Sequence, residues 1–234
     1  MKAHLVKIML VEAAHRNPLG GEKQRRLHGH SYRVELLGGG APNAVGWVVD
    51  FAEMKERFRA IYKQLDHHCL NDIPGLSEDT RVPALTRWIE AQLAPMPAWL
   101  HGVRVSIAGD LAFCCERLVA NDFEGVPERL KFTFEAAQSL PHLPGEHQCK
   151  CTHGHSYRIE AGARDLAGLE GHLRALYDIF DHSFLNEIAG LESAATCERI
   201  CEWVWQWLEA RGVSPTVIII QETPTARCLY FGEA

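Results

Sequence analysis

The sequence predicts an α+β fold that is built twice along the chain. The pentapeptide HGHSY occurs at residues 28–32 and again at residues 153–157. A second pair of matching segments follows, LDHHCLNDIPGL at residues 65–76 and FDHSFLNEIAGL at residues 180–191. Around both pairs, runs with strand-like alternation and runs with helical periodicity come in the same order. Landmarks repeated in one order indicate a tandem duplication.

The repeat also sets the predicted domain boundaries. The stretch VEAAHRNPLGGEKQRRLHGHSYRVE of the first half matches FEAAQSLPHLPGEHQCKCTHGHSYRIE of the second. We therefore predict a first copy at residues 1–122 and a second copy at residues 129–234, joined by a linker at residues 123–128. Each copy has an ordinary length for a small domain.

The first copy is predicted to contain strands at residues 7–14, 31–37, 103–107 and 113–118, which are runs of β-favouring residues. From Asp50, a suitable N-cap, apolar residues recur at three- and four-residue steps as far as Leu65. This spacing predicts a helix with one buried face. A second helix is predicted at residues 82–93, with Pro83 in its first turn, where the missing N–H is tolerated.

The second copy repeats this order of elements. Its strands are predicted at residues 131–137, 156–161, 217–221 and 227–231, and its helices at residues 166–180 and 196–210. Each copy is therefore predicted to be a four-stranded antiparallel sheet with two helices on one face.

Composition and charge exclude several classes of function. The formal charge is −6 and no stripe of Lys or Arg follows any segment, so we expect no nucleic-acid partner. No apolar run approaches 18 residues, so no membrane span is predicted. The first ten residues alternate like a strand rather than a secretory leader. We therefore expect a cytoplasmic protein with its eight cysteines reduced.

Histidines of the first copy have the spacing of metal ligands. His28 and His30 lie two apart at the start of a predicted strand, so their rings point to the same side. His15 ends the preceding strand and joins them if the two strands form a hairpin. Three histidines with an open fourth position are the arrangement of a catalytic zinc site.

In combination, these segments resemble the 6-pyruvoyl-tetrahydropterin synthase family. The first copy carries EAAHR, LHGHSY, GWVVDF and LDHHCLNDIPGL, and the second carries FEAAQ, HGHSY, DHSFLNEI and ETPTARCLY. Within the family the chain is most similar to the 6-carboxytetrahydropterin synthases of the queuosine pathway. The resemblance implies the T-fold, zinc, a homo-oligomer with sites at domain or subunit interfaces, and 7,8-dihydroneopterin triphosphate as a small-molecule pterin substrate.

The family pattern also implies a role for each type of residue. Zinc binds the histidine after AA and both histidines of HGH, where it makes substrate hydroxyls more acidic. A cysteine four residues before HGH acts as general base, helped by an Asp-His pair. The glutamate of ETPT anchors the pterin, whose N–H edge a carboxylate accepts well.

The two copies retain different parts of this pattern. The first copy has the zinc ligands His15, His28 and His30 and the pair Asp66-His67. Gln24 stands where the cysteine is expected, and Ala108 where the glutamate is expected.

The second copy has lost the complementary part. It has Cys149, the pair Asp181-His182 and Glu222, with His153 and His155 as further candidate metal ligands. Gln138 replaces the first zinc histidine. Cys149 is thus the predicted general base, Asp181-His182 its partner pair and Glu222 the pterin anchor.

Three hypotheses remain open at this stage. In the first, the second copy is catalytic, and His142 or Cys151 replaces the missing ligand. In the second, zinc on the first copy faces His182 and Glu222 of the second copy. In the third, the protein is a zinc-containing module that binds a pterin or purine without turnover. The favoured activity is a zinc lyase that acts on dihydroneopterin triphosphate, with either a carboxy or a pyruvoyl product.

Overall fold

A computed structural model of the chain describes residues 3–232 and contains two sheets. The first sheet has the strand order β3-β1-β2-β4, in which β1 pairs with β2, and β2 with β4, in antiparallel fashion. The edge strand β3 is only two residues long and pairs with β1 in parallel. The elements of this part of the chain are β1 (Ala3–His15), β2 (His28–Gly40), α1 (Phe51–Leu65), β3 (His68–Cys69), α2 (Val82–Leu93) and β4 (Leu100–Ile107).

The second sheet has the strand order β10-β9-β7-β6-β5, with β8 paired in parallel to β6. Its elements are β5 (Glu116–Leu118), β6 (Arg129–Gln138), β7 (His153–Ala163), α3 (Leu169–Phe180), β8 (Ser183–Phe184), α4 (Cys197–Glu209), β9 (Pro215–Thr223) and β10 (Ala226–Tyr230). The predicted α+β class and the tandem arrangement are confirmed.

One predicted strand belongs to the other copy. The strand expected at residues 113–118, as the last of the first copy, is β5, and it pairs with β6 of the second sheet. The connection between β5 and β6 folds back on itself through a bridge between Asn121 and Val126. Because neighbouring strands joined by a short connection pair most readily, the second sheet begins before the predicted linker.

Each sheet has a core on its helix-covered face. In the first copy, Asp50 accepts a hydrogen bond from the N–H of Ala52 and begins α1, whose buried side includes Met54 and Phe58. These pack against alternate residues of β2, such as Tyr32 and Val34. Alternation along β2 therefore also places His28 and His30 on the helix-covered side. The second copy repeats this packing around Phe132, Phe134 and Tyr157.

The two copies meet where the HGH segments begin β2 and β7. A Cβ atom built on Gly154 would lie 2.2 Å from the Cα of Gly29, so a side chain at either position would clash with backbone. Beside this contact, the N–H of Ser31 donates to Oγ of Ser156 and the N–H of Ser156 donates to Oγ of Ser31, both at 3.1 Å. The contact is nearly symmetric and places the histidines of both copies at the interface.

Among residues 3–232, every helix is too short or too polar to cross a lipid bilayer.

Candidate functional site

Two candidate sites flank the contact between the copies, and each contains residues of both. Site 1 consists of His15, His28 and His30 of the first copy with Asp181 and His182 of the second. Site 2 consists of Cys149, His153, His155 and Glu222 of the second copy with Asp66 and His67 of the first. Every predicted site residue therefore lies in one of the two sites.

The hairpin of β1 and β2 assembles the histidines of site 1. His15, the last residue of β1, is paired in register with His28, the first residue of β2. His30 lies two residues further along the same side of β2. The three ring centroids are 4.4, 4.9 and 5.0 Å apart, and all three side chains are buried.

Hydrogen bonds fix which nitrogen of each ring in site 1 is free. Nδ1 of His28 donates to the carbonyl of Arg26 at 2.8 Å, and Nδ1 of His30 donates to the carboxylate of Glu135 at 2.6 Å. Nδ1 of His15 is 2.8 Å from Oγ1 of Thr80, whose own hydrogen is donated to the carbonyl of Arg16. All three rings thus carry their proton on Nδ1 and present the Nε2 lone pair.

This geometry fits a metal ion. Nε2 of His15 and Nε2 of His28 lie 3.0 Å apart, so two lone pairs face each other unless a cation binds them. Burial, together with the neighbouring histidines, lowers the pKa of both His28 and His30 to about 3, so the free rings are neutral ligands. Nitrogen donors from three neutral imidazoles are a preferred ligand set of zinc.

An Asp-His pair of the second copy closes site 1. The ring of His182 stacks on His28 with a centroid distance of 4.2 Å, and its Nδ1 lies 2.9 Å from Oδ2 of Asp181. Nζ of Lys23 lies 2.6 Å from the same carboxylate oxygen. We expected Asp181-His182 to assist Cys149. That expectation is corrected, because the pair lies beside the histidines of the first copy.

Site 1 opens into a cavity of about 330 Å³ without the cysteine and glutamate of the family pattern. Gln24 lines the cavity at the position of the cysteine. Gln221 pairs with Arg158 as Ser106 pairs with Arg33, the equivalent residue of the first copy. The next residues after these, Glu222 and Ile107, therefore correspond, rather than Glu222 and the expected Ala108. An apolar side chain therefore lines the wall where a pterin would need a hydrogen-bond acceptor.

Site 2 has two histidines oriented like those of site 1. Nδ1 of His153 donates to the carbonyl of Cys151 at 2.8 Å, and Nδ1 of His155 lies 2.9 Å from a carboxylate oxygen of Glu12. Gln138 is paired in register with His153, as His15 is with His28. The position of the third imidazole in site 2 is therefore held by an amide.

The glutamate of site 2 lies against this amide. Oε1 of Glu222 accepts a hydrogen bond from Nε2 of Gln138 at 2.5 Å and lies 3.1 Å from Nε2 of His155. Burial alone would raise the pKa of Glu222, but the contact with His155 lowers it to about 2. Glu222 is thus ionised and forms, with His153 and His155, a group of three potential metal ligands within 4.8 Å.

The two residues considered as replacement ligands lie elsewhere. Cys151 is exposed, and His142 is exposed with its Nδ1 on the carbonyl of Ser193. Neither is among the residues 3–232 that group as potential metal ligands. The expected replacement by either residue is therefore corrected, and the third potential ligand group beside His153 and His155 is the Glu222 carboxylate.

The cysteine of site 2 lies beside the Asp-His pair of the first copy. The Sγ of Cys149 and ring nitrogens of His67 and His153 all lie within 4.8 Å of one another. His67 stacks on His153 at 4.3 Å, and Nδ1 of His67 lies 2.8 Å from Oδ2 of Asp66. Burial, with the nearby Glu222 carboxylate, raises the pKa of Cys149, so the ligand-free residue is a thiol.

The hypothesis of a shared site therefore holds for one residue and fails for the other. His182 faces the histidines of the first copy as proposed, whereas Glu222 belongs to site 2. The sharing is reciprocal, because the Asp-His pair of each copy lies against the HGH histidines of the other copy.

Two carboxylates at the interface were not predicted from the sequence. Glu12 contacts His155, and Glu135 contacts His30, so each reaches a histidine of the other copy. The signal for both residues is the glutamate of EAA, which occurs in both copies. The sequence shows that Glu12 and Glu135 occupy the same position in the repeat, but it does not show that each contacts the other copy.

The fold and the sites together define a class, a duplicated α+β protein with metal-competent acid-base sites between its copies. The family model described as 6-pyruvoyl tetrahydropterin synthase matches residues 5–108 and again residues 129–233. Because these matches cover most of the chain, this chain belongs to the 6-pyruvoyl tetrahydropterin synthase family.

Three similar proteins each cover less than half of this chain. The 6-carboxy-5,6,7,8-tetrahydropterin synthase of Synechocystis sp. is 36% identical over 118 residues, which cover 43% of this chain and 89% of that protein. The dihydroneopterin monophosphate aldolase of Pyrococcus furiosus is 34% identical over 73 residues, 31% of this chain and 61% of that protein. The solved 6-pyruvoyl tetrahydropterin synthase of Caenorhabditis elegans covers 45% of this chain and 89% of its own, at 17% identity and a TM-score of 0.40.

Proposed function

We propose that this protein is a lyase that converts 7,8-dihydroneopterin triphosphate to 6-carboxytetrahydropterin, and that site 2 performs the reaction. The observation that carries the proposal is the convergence of Cys149 with His67 of the other copy and with His153, all within 4.8 Å. The relative from Synechocystis, named a 6-carboxy-5,6,7,8-tetrahydropterin synthase, supports this choice of product.

His67 and Cys149 would move the protons. His67 is fixed through Nδ1 by Asp66, so its Nε2 can accept the thiol proton of Cys149. The resulting thiolate removes a proton from the substrate side-chain carbon, and His67 returns a proton to the leaving part. A nucleophile beside a base that a third group orients is the usual arrangement for this kind of chemistry.

Glu222 would bind the pterin ring. Its ionised carboxylate accepts hydrogen bonds from the amino and N–H edge of a pterin, which are charge-assisted and therefore strong. The same binding would neutralise part of the negative charge that disfavours the Cys149 thiolate. Pterin binding would in this way prepare the base as well as orient the substrate.

Zinc is the ion that the family implies. His15, His28 and His30 would hold it in site 1, and His153 and His155 would hold it in site 2, with the Glu222 carboxylate beside them. When bound in site 2, zinc would make the hydroxyls of the substrate side chain more acidic. Site 1 lacks both the base and the pterin acceptor, so we assign it a metal-binding role without turnover.

The balanced reaction defines the test. One dihydroneopterin triphosphate and one water give one 6-carboxytetrahydropterin, one acetaldehyde and one triphosphate. Zinc-loaded protein is incubated with the substrate, and the pterins and acetaldehyde are identified by mass spectrometry. We expect His67→Ala to reduce turnover at least about 100-fold, because general acid-base catalysis typically contributes that much.

His182→Ala is the matched control, since it removes the corresponding histidine at site 1. We expect it to reduce turnover far less than His67→Ala. Equal losses in the two variants would contradict the assignment to site 2. A pyruvoyl product, or cleavage to a hydroxymethyl pterin, would reassign the reaction, and unchanged substrate with zinc bound would favour a pterin-binding module.

A further inference from the structure

We infer that Glu135 and Glu12 are positioning residues, each of which orients a metal-binding histidine of the opposite copy. Oε2 of Glu135 lies 2.6 Å from Nδ1 of His30, and Oε2 of Glu12 lies 2.9 Å from Nδ1 of His155. These four residues are buried, with exposures between 1% and 6%, so water does not compete for the contacts. The inference rests on the metal sites of the proposed function.

Strand alternation explains why each carboxylate serves the other copy. Glu12 is paired in register with Ser31, and Ser31 points to the opposite side of β2 from His30. Glu12 is therefore on the wrong side of its own sheet to contact its own metal ligands. Glu135 is paired with Ser156 in the same way and faces the first copy.

The two serines hold the carboxylates in place. Oγ of Ser31 donates to Oε2 of Glu12 at 2.5 Å, and Oγ of Ser156 donates to Oε2 of Glu135 at 2.7 Å. Each serine also accepts a hydrogen bond from the backbone N–H of the other. The contacts form one chain across the interface, which runs from His30 through Glu135, Ser156, Ser31 and Glu12 to His155.

A carboxylate at Nδ1 has two effects on a metal-binding histidine. It fixes the ring with Nε2 toward the metal, and it makes Nε2 more basic. Loss of such a partner typically weakens metal binding 10- to 100-fold. Each metal site of this chain therefore depends on a residue of the copy that does not supply its histidines.

The test measures zinc affinity by competition with a chelator, without substrate. In a His153→Ala background, which isolates site 1, we expect Glu135→Gln to weaken zinc binding by about 10- to 100-fold. The matched control is Glu116→Gln on β5, an exposed carboxylate that pairs with Lys131 and contacts neither site, which should leave the affinity unchanged. In a His28→Ala background, Glu12→Gln should weaken zinc binding at site 2 by the same factor.

Two further measurements separate positioning from a general structural role. The zinc-free Glu135→Gln protein should melt at the same temperature as its parent, whereas the absorption spectrum of its cobalt-substituted form should change. Glu135→Asp, which keeps a carboxyl group on a shorter side chain, should recover part of the affinity. Unchanged zinc affinity in Glu135→Gln, or an equal loss in Glu116→Gln, would overturn the inference. Because no substrate is used, a failure to turn over pterins leaves this result intact.

Discussion

At the scale of single residues, both copies retain the Asp-His pair and the unusual backbone conformation of its histidine. The histidine that follows the aspartate in each Asp-His pair adopts a left-handed backbone conformation, with φ of 59° at His67 and 57° at His182. Such conformations are uncommon outside glycine and cluster at functional positions. The backbone N–H of each residue is bonded to the carbonyl of Glu12 or Glu135, which holds the turn. The strained histidine is thus retained in both copies, although only site 2 has a cysteine beside it.

Restoring the missing imidazole should strengthen metal binding at site 2. Gln138→His places a histidine at the position that corresponds to His15, so site 2 would offer three nitrogen donors. We expect its zinc affinity to rise at least about tenfold, or about 1.4 kcal/mol. Chelator competition in a His28→Ala background measures this change. The control is Gln206→His on the exposed side of α4, and an equal gain there would refute the assignment of Gln138.

At the scale of elements, the starts of β2 and β7 carry both the ligands and the contact between copies. The glycine of HGH has no side chain for a physical reason, because the two strands approach within the distance that a Cβ would occupy. The glycine therefore belongs to the interface, while the histidines on either side belong to the sites. One five-residue segment thus couples docking of the copies to assembly of both sites.

Gly154→Ala should separate the copies at this contact. Its Cβ would lie 2.2 Å from the Cα of Gly29, and the backbone would have to move. We expect a loss of about 1–3 kcal/mol in the free energy of unfolding, the usual cost of overpacking, with weaker zinc binding at both sites. Denaturant unfolding and zinc titration measure the two effects.

Gly171→Ala is the control for this substitution. Gly171 lies in α3 with no atom within 4 Å of an added Cβ, so alanine should stabilise the helix by about 0.5–1 kcal/mol. Equal behaviour of the two variants would contradict the role assigned to the contact between Gly29 and Gly154.

At the scale of the whole molecule, duplication has placed both halves of each site in one chain. Asp66 and His67 reach site 2 from the first copy, and Asp181 and His182 reach site 1 from the second. Each copy could therefore lose part of the family pattern while the chain kept one site, site 2, with most of the catalytic residues. Site 2 has the cysteine, the glutamate and an Asp-His pair, and site 1 has the full set of three histidines.

Mixing inactive chains should not restore activity. Cys149→Ala and His67→Ala each disable site 2, and both residues come from the same chain. We therefore expect a mixture of the two variants to show no more turnover than the sum of its parts. The assay is product formation after co-refolding, with the doubly substituted chain as the background. Recovery of activity would mean that site 2 is built between chains.

Local sequence patterns were enough to predict the α+β class, the duplication, most helices and strands, and the residue types of both sites. These features depend on local periodicity and on motifs that repeat in order, which a single chain displays directly. Strand pairing and packing were needed to show that β5 joins the second sheet and that Ile107 rather than Ala108 corresponds to Glu222. They were also needed to show which site each Asp-His pair joins. Strand register depends on a pairing partner, and both copies carry the same Asp-His motif, so only packing could assign it. The contacts that Glu12 and Glu135 make with the opposite copy also depend on tertiary packing, because they form where Gly29 and Gly154 allow the two sheets to meet.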